Sequence, residues 1–372
     1  MIRAHKIRLY PNNVQATYFF KACGTARYAY NWALTEWKRL YELGEKVNEG
    51  ILRKRLNAIK REEFPWMLDV TKCAPQLAIK NDLNNAFRNF FRGLKQGKKI
   101  GYPKYHKKGV NDSFALSNDQ FQVRDTHVRI PNLGWVKLAE ELRFDGKILC
   151  ATVSRIADKW FIAIQVEIPD EESPVRENQA IGVDLGINTL AVLSDGTEYV
   201  SSKASRKYKK KLKRLNQSLS RKAGAKKGED VSKNFKKAKR KLSRLYAKMA
   251  NLRADDTHKL TAMLTKKYTL IGIESLNVKG MMSNHKLANS IADMSFFEFR
   301  RQLEYKATAI GTKIVAADQW YPSSKTCSAC GTIKSKYELP LSIRIFKCEC
   351  GFVCDRDVNA AINLKNYAIQ HV

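Results

Sequence analysis

The sequence predicts a multidomain protein that joins an α+β part to an α/β part. Three observations lead there. A lone strand-like segment at 2–9 is separated by a long helical stretch from a run of two-residue periodicity at about 113–168. A polar linker, Pro169 and EESPVRENQ, follows that run. Beyond the linker, apolar strand segments alternate with helical ones and lead into a crowd of cysteines. The expected organisation is a small β-barrel from residues 1–10 and 111–175, a helical domain inserted at 11–110, and an α/β domain at 176–372. A cysteine-rich ribbon is inserted in that last domain at about 320–355.

Taken in order, IRAHKIRL (2–9) is a strand stopped by Pro11, which has no N–H to give a ladder. Tyr18, Phe19, Ala22, Cys23, Ala26, Tyr30 and Leu34 then recur at helical spacing, in a stretch expected to run to about Lys60. PQLAIKNDLNNAFRNFFRGL (75–94) is a cleaner amphipathic helix. Its apolar side holds Ile79, Leu83, Ala86, Phe87, Phe90 and Leu94, and its polar side Gln76, Lys80, Asn84, Arg88 and Arg92. GYPKYHKKG (101–109) opens a basic, aromatic loop containing Tyr102, Lys104, Tyr105 and His106. HVRIP, GWVKL, KILCATVSRI and KWFIAIQVEIP read as strands of an antiparallel sheet or small barrel.

After the linker, IGVDLGINTLAVLSDGTEYV (181–200) reads as strand, glycine turn, strand, Asp195–Gly196 turn and strand. Residues 203–267 are helical, with a break expected at AGAKKGED. Residues 201–250 hold 20 Lys and Arg against two acids, yet Leu212, Leu215, Leu219, Leu242, Leu245, Met249 and Leu252 keep an apolar period. A strand in YTLIGIESL (268–276), a helix at about 294–308, a strand in TKIVAAD (312–318) and a final helix from about 357 complete the chain.

Charge narrows the partners. The 372 residues carry 68 Lys+Arg against 36 Asp+Glu, a formal +32 that a compact body would hold only against its own repulsion. A polyanion whose counterions are released on binding accounts for such an excess. No apolar run approaches the ~20 residues needed to cross a bilayer, and the N-terminus lacks an apolar signal core. A cytoplasmic protein with nucleic-acid partners and no membrane is expected. Cys327, Cys330, Cys348, Cys350 and Cys354 crowd together, which in that compartment indicates metal rather than disulfides. Four thiolates from two knuckles make a closed, structural tetrahedral Zn²⁺ site. Cys327, Cys330, Cys348 and Cys350 are the expected ligands, with Cys354 the substitute because Cys348 and Cys350 are one residue closer than a C-x₂-C pair.

Three acids stand out by position. Asp184 ends an apolar strand in GVDLG, Glu274 ends another in IGIES, and Asp357 opens the last helix in CDRDVNAA. Converging at one sheet edge, such carboxylates hold two Mg²⁺ ions and hydrolyse a phosphodiester without a protein nucleophile. Asp355 rivals Asp357 for that role, or caps the final helix.

These motifs, in this order, resemble a known family. GVDLGINTLAVLSDG, IGIESLNVKGM and CSACG…RIFKCECGFVCDRDVNAAINL are similar to the RuvC-like nuclease domain of transposon-encoded TnpB proteins, relatives of the type V CRISPR effectors. KIRLYPNNVQ…FFKACGTARYAYNWAL and AFRNFF…YPKYHKKG extend the resemblance over most of the chain. It implies an RNase H-like nuclease domain, a wedge-like barrel and a helical recognition domain. It further implies RNA-guided cutting of double-stranded DNA beside a short adjacent motif, with a guide made from the transposon end. Asp184, Glu274 and Asp357 match the family's catalytic acids. Arg344, between the cysteine pairs, resembles an arginine near them, which implies a guanidinium clamp for developing phosphate charge or a simple phosphate anchor.

In that setting the 203–249 helices become a phosphate track, and Gln76, Lys80, Asn84, Arg88, Tyr102 and Lys104 become candidate nucleic-acid contacts. Tyr102, Tyr105 and His106 either stack on unpaired bases or pack under the neighbouring sheet. With six histidines and no HNH-type motif, one site would serve both strands. The expected assembly is a monomer on one RNA. Two rivals use the same residues: a guide-dependent repressor that no longer cuts, and an RNA-independent transposase or resolvase. A third is a structural RNA-binding protein with a zinc ribbon.

Overall fold

A computed structural model describes residues 1–169, 179–224, 231–335, 337–340 and 342–372. The linker expected at 169–179 and the core of the AGAKKGED break fall mostly outside the described residues. The chain divides into two units, Met1–Asp170 and Glu171–Val372. No helix among the described residues is long and apolar enough to cross a membrane.

The first unit opens with β1 (Ile2–Tyr10) and α1 (Asn13–Glu42). The Asn12 side chain accepts from the Gln15 N–H at 2.9 Å while Gln15 Oε1 accepts from the Asn12 N–H, a reciprocal cap that fixes where α1 starts. The helical stretch expected to reach Lys60 is two helices. Gly44 adopts φ +75°, which ends α1, and the Asn48 side chain restarts the chain as α2 (Glu49–Ile59).

The helix expected at 75–94 also differs. It is α3 (Cys73–Leu77), a π-helical turn at Ala78–Leu83 and α4 (Asn84–Lys95). A π turn carries an extra residue per turn, so the downstream face rotates away from a strict 3.6 period. Ile79, Leu83 and Phe87 are buried, but Leu94, expected on the apolar stripe, is 51 % exposed.

Six strands follow: β2 (Ser113–Ser117), β3 (Gln122–Arg124), β4 (His127–Ile130), β5 (Gly134–Leu138), β6 (Lys147–Ile156) and β7 (Lys159–Glu167). With β1 they form one antiparallel sheet in the order β2-β6-β7-β1-β5-β4-β3. Ile7 and Leu9 alternate inward on β1, facing Ile162 and Trp160 in register. The two end strands are consecutive in the chain, joined only by the turn at Asn118–Gln120. Five residue steps span at most ~18 Å, so the row must curl back on itself. Among the described residues no pairing joins β2 to β3, and the expected barrel is a curled, open sheet. Phe19 of α1 lies 6.0 Å from Phe114 and 5.1 Å from Trp160, so helix and sheet share one core.

The second unit holds β8 (Ala180–Asp184), β9 (Ala191–Leu193), β10 (Glu198–Tyr199), α5 (Ala204–Ser220), α6 (Lys233–Lys267) and β11 (Leu270–Glu274). It continues with α7 (Val278–Met282), α8 (Ala288–Met294), α9 (Phe296–Ile310) and β12 (Lys313–Ala317). The hairpin β13 (Ile345–Lys347) and β14 (Val353–Asp355) then leads into α10 (Arg356–Gln370). Five strands make a mixed sheet in the order β10-β9-β8-β11-β12, with β8, β11 and β12 parallel. Helix α10 lies directly on β8 and β11. A Cβ at Gly182 would overlap the Ala361 carbonyl, and one at Gly272 the Leu364 carbonyl. Two glycines thus set how closely the last helix approaches the sheet. Because neither backbone can retreat, Gly272→Ala is expected to cost about 3 kcal/mol, read as a lowered urea midpoint.

Candidate active site and cysteine ribbon

Parallel pairing brings two acids together. Val183 pairs in register with Ile273, so Asp184 and Glu274 are the next residues on adjacent strands at the carboxyl edge of the sheet. Asp357, in the first turn of α10, reaches the same edge because the glycines let that helix lie flat on β8 and β11. Burial pushes Asp184 well above the usual carboxylate range, and the charges of Glu274 and Asp357 push it further. The cations Arg344 and Arg356 pull it partly back. Burial raises Glu274 to about 7, against a hydrogen bond that its Oε1 accepts from the Leu185 N–H at 3.3 Å. Crowded carboxyls of this kind are stabilised by a hard divalent cation, and the donor set is all oxygen.

Asp355 is engaged elsewhere. Its Oδ1 accepts the N–H groups of Asp357 at 2.7 Å and Val358 at 3.3 Å, so it is the N-cap of α10. The Arg344 guanidinium donates to Asp357 Oδ2, with its side chain half exposed.

The cysteines gather as the spacing predicts. Cys327, Cys330, Cys348 and Cys350 place their sulfurs within 4.8 Å of one another. Cys327 and Cys350 Sγ are 3.7 Å apart, and Cys330 and Cys348 Sγ 3.6 Å. A disulfide would need ~2.0 Å. A tetrahedral Zn²⁺ with ~2.3 Å bonds sets sulfurs about 3.8 Å apart, so the arrangement fits that metal. Gly331 and Gly351, both in the left-handed region, turn each knuckle so that their N–H groups return to the carbonyls of Cys327 and Cys348. This turn lets the tight Cys348–Cys350 spacing serve. The Cys354 thiol donates to the Asp355 carbonyl at 3.1 Å and stands outside the cluster.

Three residues not singled out from the sequence tie the ribbon to α10. Buried Asn359 accepts the Ser328 N–H at 3.0 Å and donates to the Thr326 carbonyl at 2.7 Å. Asn363 donates to the carbonyls of Ser323 at 2.8 Å and Thr326 at 2.6 Å. Arg356, between the two acids, donates to the Pro340 carbonyl at 2.9 Å. Their one sequence signal is a pair of asparagines four apart on an otherwise apolar helix face.

The candidate nucleic-acid contacts separate into two groups. Lys80, Arg88 and Lys104 are exposed, and Asn84 is half buried at the start of α4. Gln76 is not free to read a base: it accepts from Arg53 Nε at 3.0 Å and donates to Asn57 Oδ1 at 2.9 Å. Tyr102 lies edge-on to Phe87 and Phe90, each at 5.4 Å, and His106 stacks on Tyr30 at 3.7 Å. The Tyr105 hydroxyl meets Thr35 Oγ1 at 3.1 Å. These rings lie against helices α1 and α4 rather than under the sheet, and each keeps an exposed face. Between α5 and α6, a cleft of about 690 Å³ is lined by Lys211, Arg214, Arg221, Lys237 and Lys241, among other cations.

The OrfB_IS605 family, described as a probable transposase, matches residues 163–285, and the Cas12f1-like TNB domain matches 296–364. A family described as a helix-turn-helix domain matches residues 1–46, where the structure has one strand and one helix. A protein of Streptomyces pristinaespiralis named "Putative RNA-guided DNA endonuclease" is 34% identical over 97% of this chain and 88% of its own length. One of Escherichia coli K12, "Putative RNA-guided DNA endonuclease InsQ", is 32% identical over 98% of this chain and 91% of its own. The solved Cas12f1-sgRNA-target DNA complex aligns over 94% of this chain and 82% of that one, with TM-score 0.59 and 16% identity, a likeness of fold. With relatives matched at this identity along almost their whole length, the chain belongs to the TnpB (OrfB/IS605) family, of which the two relatives above carry the name "Putative RNA-guided DNA endonuclease".

Proposed function

We propose that this protein is an RNA-guided endonuclease that cuts double-stranded DNA beside a short adjacent motif, using a guide made from the transposon end. The observation that carries this reading is the meeting of Asp184, Glu274 and Asp357 at one sheet edge, where burial first and neighbouring carboxylate charge second raise Asp184 and Glu274. Those three side chains would hold two Mg²⁺ ions, which when bound supply an activated water and charge neutralisation at the phosphate. The protein's own part is to hold the acids in register, to keep Asp355 on the helix cap and away from the site, and to poise Arg344 beside Asp357. Arg344 is thus placed to trade a carboxylate for a phosphate oxygen as substrate arrives.

Strand order β10-β9-β8-β11-β12 supports an RNase H-like, RuvC-type nuclease domain over 176–372, with a structural zinc ribbon at about 320–355. The curled sheet (1–10 and 111–175) is read as wedge-like, and helices within 11–110 as the recognition domain. Lys80, Asn84, Arg88 and Lys104 are the nucleic-acid contacts we retain there, while Gln76 and Tyr102 support them through packing. The cationic cleft of α5 and α6 holds guide or target backbone. The protein acts as a cytoplasmic monomer on one RNA. An intact acid set speaks against a repressor that no longer cuts.

The test is expression with flanking genomic DNA, sequencing of the copurified RNA, and plasmid cleavage with Mg²⁺ beside Asp184→Ala. A discrete RNA with guide-matched cutting, lost in the variant, is expected. RNA without cutting would point to a repressor, and cutting without RNA to a transposase or resolvase.

A further inference from the structure

The carboxyl edge that gathers the acids also presents an aromatic ring. Trp320 follows β12 and is 83 % exposed, whereas Trp135, the next most exposed tryptophan in the described residues, reaches 43 %. Its backbone is tightly held. Asp318 Oδ1 accepts the Trp320 N–H at 2.8 Å, and the Asp318 carbonyl accepts the Tyr321 N–H at 3.0 Å. The next ring turns inward, Tyr321 packing on Tyr367 of α10 at 4.8 Å, and Asn363 holds the Ser323 carbonyl. A large ring offered to solvent from an anchored turn, with its neighbour half-buried, is a presented surface rather than a frayed one.

Its position relative to the acids follows from register. Glu274 pairs with Ala317, so their Cα atoms are ~4.8 Å apart. Trp320 is three residues further and within ~10 Å of Ala317, hence within about 15 Å of the Glu274 backbone. That span is roughly two to four nucleotides, at 3.4 Å per residue for a stacked strand and about twice that when extended.

We propose that Trp320 stacks on a base of the single DNA strand entering the acid cluster, a few nucleotides from the scissile phosphate, and so sets which phosphate reaches the acids. Every base offers a π-face, so such a platform holds a strand without selecting sequence. This suits a site whose target is chosen elsewhere by pairing. The carboxylates attract no strand themselves, and the ring supplies a hold that does not depend on charge. The inference rests on the nuclease reading above.

The test uses the full chain with its copurified RNA and a matched duplex target. Trp320→Ala is expected to lower cleavage about tenfold and to spread the cut over neighbouring phosphates, while Trp320→Phe restores most of both. Zinc content and melting temperature should match the unmodified protein in each variant. Abasic nucleotides are then scanned near the cut. One position should slow the unmodified protein about tenfold and Trp320→Ala no further. Cutting by Trp320→Ala at unchanged rate and position would overturn the proposal, as would an abasic effect of equal size in both proteins. If the unmodified protein cuts nothing with Mg²⁺ present, the nuclease reading itself falls.

Discussion

Replacing Asp184 with asparagine is expected to abolish cleavage by about three orders of magnitude or more, and to make the metal-free protein more stable. The first effect follows from removing one of three carboxylates from a charge clamp that supplies several kcal/mol to the transition state. The second follows from burial, which raises both Asp184 and Glu274 in the folded chain. A raised carboxyl binds its proton more tightly in the folded state than in the unfolded one. Its contribution is therefore present in full below the unfolded pKa and is lost as pH rises through the folded value. For Glu274 that window runs from 4.5 to about 7, a loss of about 3 kcal/mol at most. In chelator, the melting temperature should fall between pH 5 and pH 8, and Mg²⁺ should recover it. Asp184→Asn should show a shallower fall, because one of the two buried titrations is gone. A melting temperature in chelator that is flat over this range, or steeper in the variant, would count against a carboxyl cluster awaiting a cation.

Removal of zinc should have the second large effect, and it should separate the cysteines. Cys327→Ser is expected to lose the metal, open the ribbon and reduce cleavage to background, whereas Cys354→Ser should keep one zinc per chain and cut normally. The loss reaches the acids through covalent and hydrogen-bonded links. Asn359, Asn363 and Arg356 hold the ribbon's base to the helix that carries Asp357, and Arg344 arrives at Asp357 from the ribbon itself. Metal analysis beside cleavage assays decides it: zinc lost from Cys354→Ser and retained in Cys327→Ser would reverse the ligand set.

Much of the fold could be read from periodicity alone. The strands carrying Asp184 and Glu274 show as short apolar runs ending in an acid, and the helix after Asp357 as an apolar period. Knuckle residues show because cysteine is rare and its spacing constrained. What could not be read depends on partners remote in sequence. Gln76 reads as part of a polar face, yet Arg53 and Asn57 occupy it. Tyr102 and His106, which the sequence leaves either to stack on bases or to pack under the sheet, meet Phe87, Phe90 and Tyr30 instead. The π turn at Ala78–Leu83 leaves no mark in composition, and Leu94, on the same face as buried Phe87, is exposed in the last turn of α4 where the sequence predicts an apolar stripe. Gly182 and Gly272 read as ordinary strand glycines, and only the placement of α10 shows what they permit.

That placement has a consequence during synthesis. The strands of the second unit are made early, and the helix that covers them emerges after all of them. A nascent chain halted between the end of β12 at Ala317 and Arg356 holds two of the acids and an uncovered apolar sheet, with no third carboxylate and no lid for Gly182 and Gly272. Domains complete themselves as the ribosome releases them. Here the segment that completes the core of the second unit is also the one that completes the acid set, so a chain that stops short of it lacks both at once.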